Sequence, residues 1–179
     1  MTFPAASVEL ARRVLAACEA KGQRLATAES CTGGLIIACL TEVPGSSNVV
    51  ERGYVTYDNR AKEEMLGIPF ELLERVGAVS EEVALAMAEG ACQRAGSCLA
   101  VAVTGIAGPG GATPTKPVGL VHIALATAAG RQLHERHVFP GDRAAVRAAT
   151  VDAALALVLR CLDESAALPD QPRPDQGRA

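Results

Sequence analysis

Two glycine-bearing loops follow short apolar runs in this chain: Glu29-Ser30-Cys31-Thr32-Gly33-Gly34, and the stretch from Thr104 and Gly105 through Gly108 and Gly110 to Gly111. Ligands in open α/β sheets bind at the carboxyl ends of strands, where such loops sit. The first loop opens onto an apolar run of helical character, so it presents Ser30, Cys31 and Thr32 at a helix start. Free amides and the helix dipole favour an anion or a developing oxyanion there. A serine nucleophile also needs a base. Only three lysines stand against 14 arginines, which makes each lysine informative. With Asn59 as cap of a short helix, Lys62 falls in the first turn, where the positive dipole end disfavours an ammonium ion and lowers its pKa. A lysine that is neutral part of the time can take a serine's proton, provided burial adds to the effect. Spacing alone leaves open the alternative of a lysine balanced by Glu63 and Glu64. Lys21, just before Gly22, suits a solvated helix end, and Lys116 is either a phosphate ligand or solvated.

Rival groups are weaker. Cys31 is more reactive than serine at neutral pH and occupies the same turn, but cysteines 18, 39, 92, 98 and 161 fall in expected core elements, which favours a packing role for Cys31 too. His122, His134 and His137 fall on expected strands, and there is no G-x-S-x-G elbow, so nothing supports a Ser-His-Asp arrangement. Arg143 and Arg147 lie one helical turn apart and either clamp a phosphate or form a solvated face. The loop at 104–111 lacks G-x-G-x-x-G and has no helix behind it. It is therefore no dinucleotide fingerprint and no P-loop, although its amides suit a phosphate or a carboxamide.

The elements that must position these residues are legible from periodicity and turn chemistry. Apolar spacing predicts a helix over 7–21, a strand at 25–28, a helix at 35–40 and a strand at 49–57. A short helix closing at Gly67 follows, then a turn or two over 70–76 and a helix from Ser80, whose hydroxyl caps amides while Glu81 and Glu82 suit the dipole. A strand at 99–103, a hairpin of 119–128 with 131–138, and a long alanine-rich helix from Asp142 to about Glu164 complete the series. Strands interleaved with helices predict an α/β fold: a three-layer α/β/α single domain with a mixed, mostly parallel sheet. That domain spans 1–167, and the polar, proline-rich tail at 168–179 reads as disordered.

Composition narrows the partners. The 179 residues carry 17 basic and 20 acidic side chains, a net charge of -3, with 2 Tyr, 3 Phe and no Trp. A basic, aromatic nucleic-acid platform is therefore not expected. No apolar run reaches the roughly 18 residues that span a bilayer, and the first residues lack the basic-then-apolar pattern of a secretory signal. The 6 cysteines include no C-x-x-C pair, which fits free thiols in a reducing cytoplasm, and the histidines show no metal spacing with them.

The motifs AESCTGGLI (28–36), VPGSSNVVERGYVTYDNRAKEEMLGI (43–68), GAVSEEVALAMAEGA (77–91), AVTGIAGPGGATPTKPVG (102–119) and FPGDRAAVR (139–147) together resemble the CinA C-terminal domain family. Its stand-alone members are nicotinamide-mononucleotide amidohydrolases of the PncC type. The resemblance implies hydrolysis of the carboxamide of nicotinamide mononucleotide to nicotinic acid mononucleotide and ammonia, by a serine and a lysine, with no metal and no cofactor. Carried over, the serine is Ser30 and the lysine Lys62, with Tyr57 and Thr104 orienting the base or the carboxamide. The pair Ser46 and Ser47 belongs to the same pattern and offers alternative serines. Amides of the turn through Thr32, Gly33 and Gly34 would stabilise the oxyanion. Arg143, Arg147 and the glycine loop, Gly105, Gly108 and Gly110 included, would meet the 5'-phosphate. The ATPT stretch at 112–115 departs from the acidic or serine-rich segment of many relatives, which touches the substrate's edge and not the reaction. The implied partner is a small nucleotide, not nucleic acid or a membrane, and a homo-oligomer is expected only as the commonest soluble assembly. The other reading is a nucleotide-sensing or partner-binding module linked to competence or DNA damage.

Overall fold

The face that each strand residue presents accounts for the layers. In the computed structural model, which describes residues 3–96 and 99–165, Leu25, Val101, Val103, Val121, Ile123 and Leu125 pack with the core on one side of the sheet. Their neighbours Ala26, Ala28, Ala100, Ala102, Ala124 and Ala126 pack on the other. Cys98 and the tail at 168–179 lie outside the described residues.

The elements run α1 (Ala5–Ala20), β1 (Leu25–Glu29), α2 (Leu35–Thr41), a 3-10 turn (Ser46–Asn48), β2 (Val50–Val55), α3 (Asn59–Leu66), α4 (Phe70–Val76), α5 (Glu81–Ala95), β3 (Leu99–Gly105), β4 (Leu120–Thr127), β5 (Gln132–Val138) and α6 (Arg143–Ser165). The sheet order is β2-β1-β3-β4-β5. β1 is parallel to both β2 and β3, and β4 is antiparallel to both β3 and β5, so β4 alone runs against the other strands. The mixed, mostly parallel sheet expected from the sequence is thus present, with the hairpin supplying the reversed strand. Helices α1, α2 and α6 cover the face bearing larger side chains, and α3, α4 and α5 cover the alanine face. This is the three-layer α/β/α arrangement.

The alanine face decides where α3 sits. Small side chains let α5 lie close to the sheet, and Gly90 of α5 then meets the end of α3 so closely that an added Cβ would stand 2.3 Å from Leu66 O. Helix α3 is thereby held against α5 over the carboxyl ends of β1 and β2, with Lys62 and Leu66 buried beneath it. Ser80 caps α5 as expected, accepting from Val83 N at 3.3 Å. Among the described residues no helix is long and apolar enough to cross a membrane.

Candidate active site

The ladder brings three hydroxyl residues into one row. Glu29 of β1 pairs with Val55 of β2 and with Val103 of β3, so the next residues, Thr56, Ser30 and Thr104, stand side by side at the strands' carboxyl ends. Two bonds continue the ladder to this row: Ser30 N donates to Val103 O at 3.1 Å, and Thr56 N donates to Glu29 O at 2.8 Å. Thr104 Oγ1 donates to Ala78 O at 2.8 Å, which ties β3 to the α4–α5 connection.

Lys62 reaches this row from α3. It is 1% exposed, and its Nζ lies 2.8 Å from Thr56 O, 3.2 Å from Tyr57 O and 3.4 Å from Ser30 Oγ. Burial pulls its pKa below the ordinary value of 10.5, while Asp58 and Cys31 pull weakly the other way. A neutral amine has two N–H donors and one lone pair. When Lys62 is neutral, the two carbonyls can take both donors, which turns the lone pair to the Ser30 hydroxyl.

The cap of α3 differs from the sequence expectation. Asp58, not Asn59, caps α3 by accepting from Arg60 N at 2.9 Å, and Asn59 is the first helical residue. Lys62 is then the fourth, and its amide is already bonded to Asp58 O at 3.2 Å. Both residue types cap helices well, so sequence preference could not separate them. Desolvation is the largest cause of the lysine's lowered pKa.

The helix start behind Ser30 is also different. Glu29 turns inward and fills it: its carboxylate accepts from Gly34 N at 3.0 Å, Ile36 N at 3.0 Å, Ile37 N at 2.9 Å and Thr32 Oγ1 at 2.7 Å. The carboxylate satisfies the Gly34 amide, one of those expected to meet an oxyanion, and Gly34 supplies the left-handed turn that makes the bend possible, with φ 96°. Gly34 and the Thr32 hydroxyl are therefore committed to Glu29. Glu29 went unrecognised in the sequence, although an acidic residue shortly before a helix is a known signal for its amino end.

The remaining expected residues divide by location. Arg143 Nη1 donates to Gly108 O at 3.0 Å and its Nη2 to Tyr57 Oη at 3.2 Å, while Arg147 Nη2 donates to Thr32 O at 2.8 Å and passes beside Gly33. The amino end of α6 thus knits the glycine loop and the Ser30 turn together. Arg147 Nε is buried with no hydrogen-bond partner among the described residues. Tyr57 is 61% exposed, and its phenol faces Arg143 and not the lysine; only its backbone carbonyl holds Lys62. Gly105 is a packing position, since a Cβ there would lie 2.8 Å from Leu120 O, and Gly110 faces open space. Lys116 is anchored to Val76 O at 2.7 Å. Ser46 and Ser47 lie in the 3-10 turn before β2, at the opposite end of the sheet. Six residues of β2 separate them from the row of hydroxyls, about 20 Å at about 3.3 Å per residue. They are corrected out of the site.

Two rivals for the chemistry are set aside by their surroundings. Burial pushes the Cys31 thiol up to about 11, so little thiolate exists near neutrality. Burial, then the neighbouring His134, holds His122 down at about 4, and its Nδ1 is 2.9 Å from His134 Nε2.

A family model described as the CinA C-terminal domain matches residues 7–162. The chain belongs to the CinA C-terminal domain family. It is 51% identical over 154 residues to a CinA-like protein of Akkermansia muciniphila, a match covering 86% of this chain and 37% of that relative. A CinA-like protein of an Anaeromyxobacter species is 52% identical over 139 residues, with 34% of its length covered. The chain therefore spans about a third of these CinA-like relatives. Among solved structures, the competence/damage inducible protein CihA from Agrobacterium tumefaciens superposes with a TM-score of 0.87 at 50% identity, covering 91% of this chain and 99% of that one. A CinA superfamily protein from Klebsiella pneumoniae gives 0.85 at 37% identity, with 88% and 98% covered. The α/β fold described above is that of this family.

Proposed function

We propose that this CinA-family domain is an amidohydrolase that converts nicotinamide mononucleotide to nicotinic acid mononucleotide and ammonia through Ser30 and Lys62. The observation that carries the reading is the buried Lys62 amine, 3.4 Å from Ser30 Oγ with two backbone carbonyls on its N–H groups. Such an arrangement is suited to general-base activation of a hydroxyl. Lys62 takes the Ser30 proton as Oγ attacks the carboxamide carbon. It then returns that proton to the departing nitrogen, leaving an ester on Ser30. In this reading the oxyanion is met by the amides of Cys31 and Thr32, which follow Ser30, are not held by Glu29 and face the Cys31 sulfur when no substrate is bound. Thr104 closes the far side of the row.

The substrate class rests on the motif resemblance and on the cationic side of the site. Arg143 and Arg147 converge on the two loops beside Ser30 and carry further N–H groups that suit the 5'-phosphate. In the same reading the protein works in the cytoplasm on a small nucleotide, with no cofactor, nucleic acid or membrane. The test is incubation of purified protein with nicotinamide mononucleotide, with ammonia and nicotinic acid mononucleotide both measured. Turnover should be lost in Ser30→Ala and largely kept in Cys31→Ala. Wild-type protein that releases no ammonia overturns the reading and leaves the sensing or partner-binding alternative.

A further inference from the structure

One hydroxyl of the strand-end row has no hydrogen-bond partner among the described residues. Thr56 is fully buried, and its Oγ1 makes no hydrogen bond among the described residues. Its backbone is fully engaged, the amide with Glu29 O and the carbonyl as the nearest acceptor of Lys62 Nζ. Burying a hydroxyl without a bond costs about 1–3 kcal/mol, and a valine of the same shape would avoid that cost. The placement of this hydroxyl is informative. Tyr54, two residues earlier, packs on the face covered by α3–α5, so the period of two along the strand puts the Thr56 side chain on that face beside Ser30. Of the three hydroxyls, Ser30 adjoins the lysine, Thr104 donates its hydrogen bond to Ala78 O, and Thr56 is uncommitted among the described residues.

A serine–lysine amidohydrolase must deprotonate two nucleophiles in turn, the serine and then a water. Buried hydroxyls without a protein partner are ordinarily met by water, and a water needs two or more polar neighbours. Thr56 Oγ1 is one such group, and Lys62 Nζ becomes the second once Ser30 is esterified and no longer engages the amine's lone pair. Resting on the Ser30–Lys62 reading above, we propose that Thr56 is a catalytic residue of the second half-reaction, its hydroxyl holding the water that hydrolyses the ester on Ser30. In that step the water oxygen bonds to the acyl carbon while one water proton passes to the neutral Lys62 amine. Thr56 Oγ1 accepts a hydrogen bond from the other. The carbon–Oγ bond then breaks, Lys62 returns its proton to Ser30 Oγ, and nicotinic acid mononucleotide leaves, its carboxyl proton passing to solvent.

The inference separates the two products in time. Wild-type enzyme and the variants Thr56→Val and Thr56→Ser are mixed with nicotinamide mononucleotide, and ammonia, nicotinic acid mononucleotide and intact protein mass are followed together. For Thr56→Val we expect about one equivalent of ammonia per site in an initial burst, an adduct on Ser30, and steady-state turnover about tenfold lower, the rate equivalent of one lost hydrogen bond. Thr56→Ser should restore turnover without adduct. Thr56→Ala serves the same purpose if valine does not fold. Variants lacking the hydroxyl that show wild-type turnover, or a slower turnover with neither burst nor adduct, overturn the role of Thr56 while leaving the Ser30–Lys62 reading intact. Wild-type protein that releases no ammonia overturns both.

Discussion

Replacing Glu29 with glutamine keeps the side chain's shape but removes its charge and one of its two acceptor oxygens. In the structure Oε2 accepts from Thr32 Oγ1, Gly34 N and Ile36 N, and Oε1 accepts from Ile37 N at 2.9 Å and from Thr27 Oγ1 at 3.4 Å. Glu29 itself is fully buried. The glutamine NH2 group fits best at the Oε1 position, because the Thr27 hydroxyl can turn to accept from it while the Ile37 amide cannot. One buried amide is then left unpaired, at about 1–3 kcal/mol, and the three bonds at the other oxygen fall from charge-assisted to neutral strength, at roughly 0.5–1 kcal/mol each. The sum is about 2.5–6 kcal/mol, a large part of the 5–15 kcal/mol typical of a domain. Urea unfolding at neutral pH, followed by circular dichroism, should show the midpoint falling with little change in slope. Turnover of the folded fraction should fall as well, since the carboxylate sets the turn that carries Ser30. A Glu29→Gln protein within about 1 kcal/mol of wild type would refute the reasoning, because the carboxylate would not then be what closes the start of α2.

Lys62 links activity and stability to pH. Its pKa is lowered in the folded state, so activity should rise with pH as the amine loses its proton, and Lys62→Arg should be almost inactive without recovery at moderately alkaline pH. Between the folded value and 10.5 the unfolded chain binds the extra proton, so this residue makes stability increase with pH across that window; denaturation of Lys62→Met over the same range should lack that increment. Arg143→Ala and Arg147→Ala should mainly raise KM for nicotinamide mononucleotide, and unchanged kinetics in both would place the phosphate elsewhere. Gly90→Ala should push α3 off α5, because its Cβ would stand 2.3 Å from Leu66 O; turnover should fall more than the melting temperature alone explains, since Lys62 rides on that helix.

Much of this architecture is local and therefore readable in the sequence. Each strand and helix expected from periodicity is present to within a few residues, because apolar spacing, Gly67 and Gly130 as stops, and Ser80 as a cap act on their own neighbours. The hairpin of β4 and β5 and the family membership were legible for the same reason: the motifs are contiguous. The serine and lysine were nominated from residue type and position, 32 residues apart. Their approach to 3.4 Å is a tertiary fact, produced by parallel pairing of β1 with β2 and by α3 packing on α5. The same long-range geometry carried Ser46 and Ser47 to the far end of β2, although they are nearer to Ser30 in the chain than Lys62 is. Choices between chemically similar partners were also decided only in three dimensions. Asp58 capped α3 in place of Asn59, and Glu29 took amides left free in the sequence reading. Thr56 became visible only when three strands aligned their ends. Periodicity reports which face a residue occupies, whereas the hydrogen bonds and desolvation that set chemistry depend on which distant groups share that face.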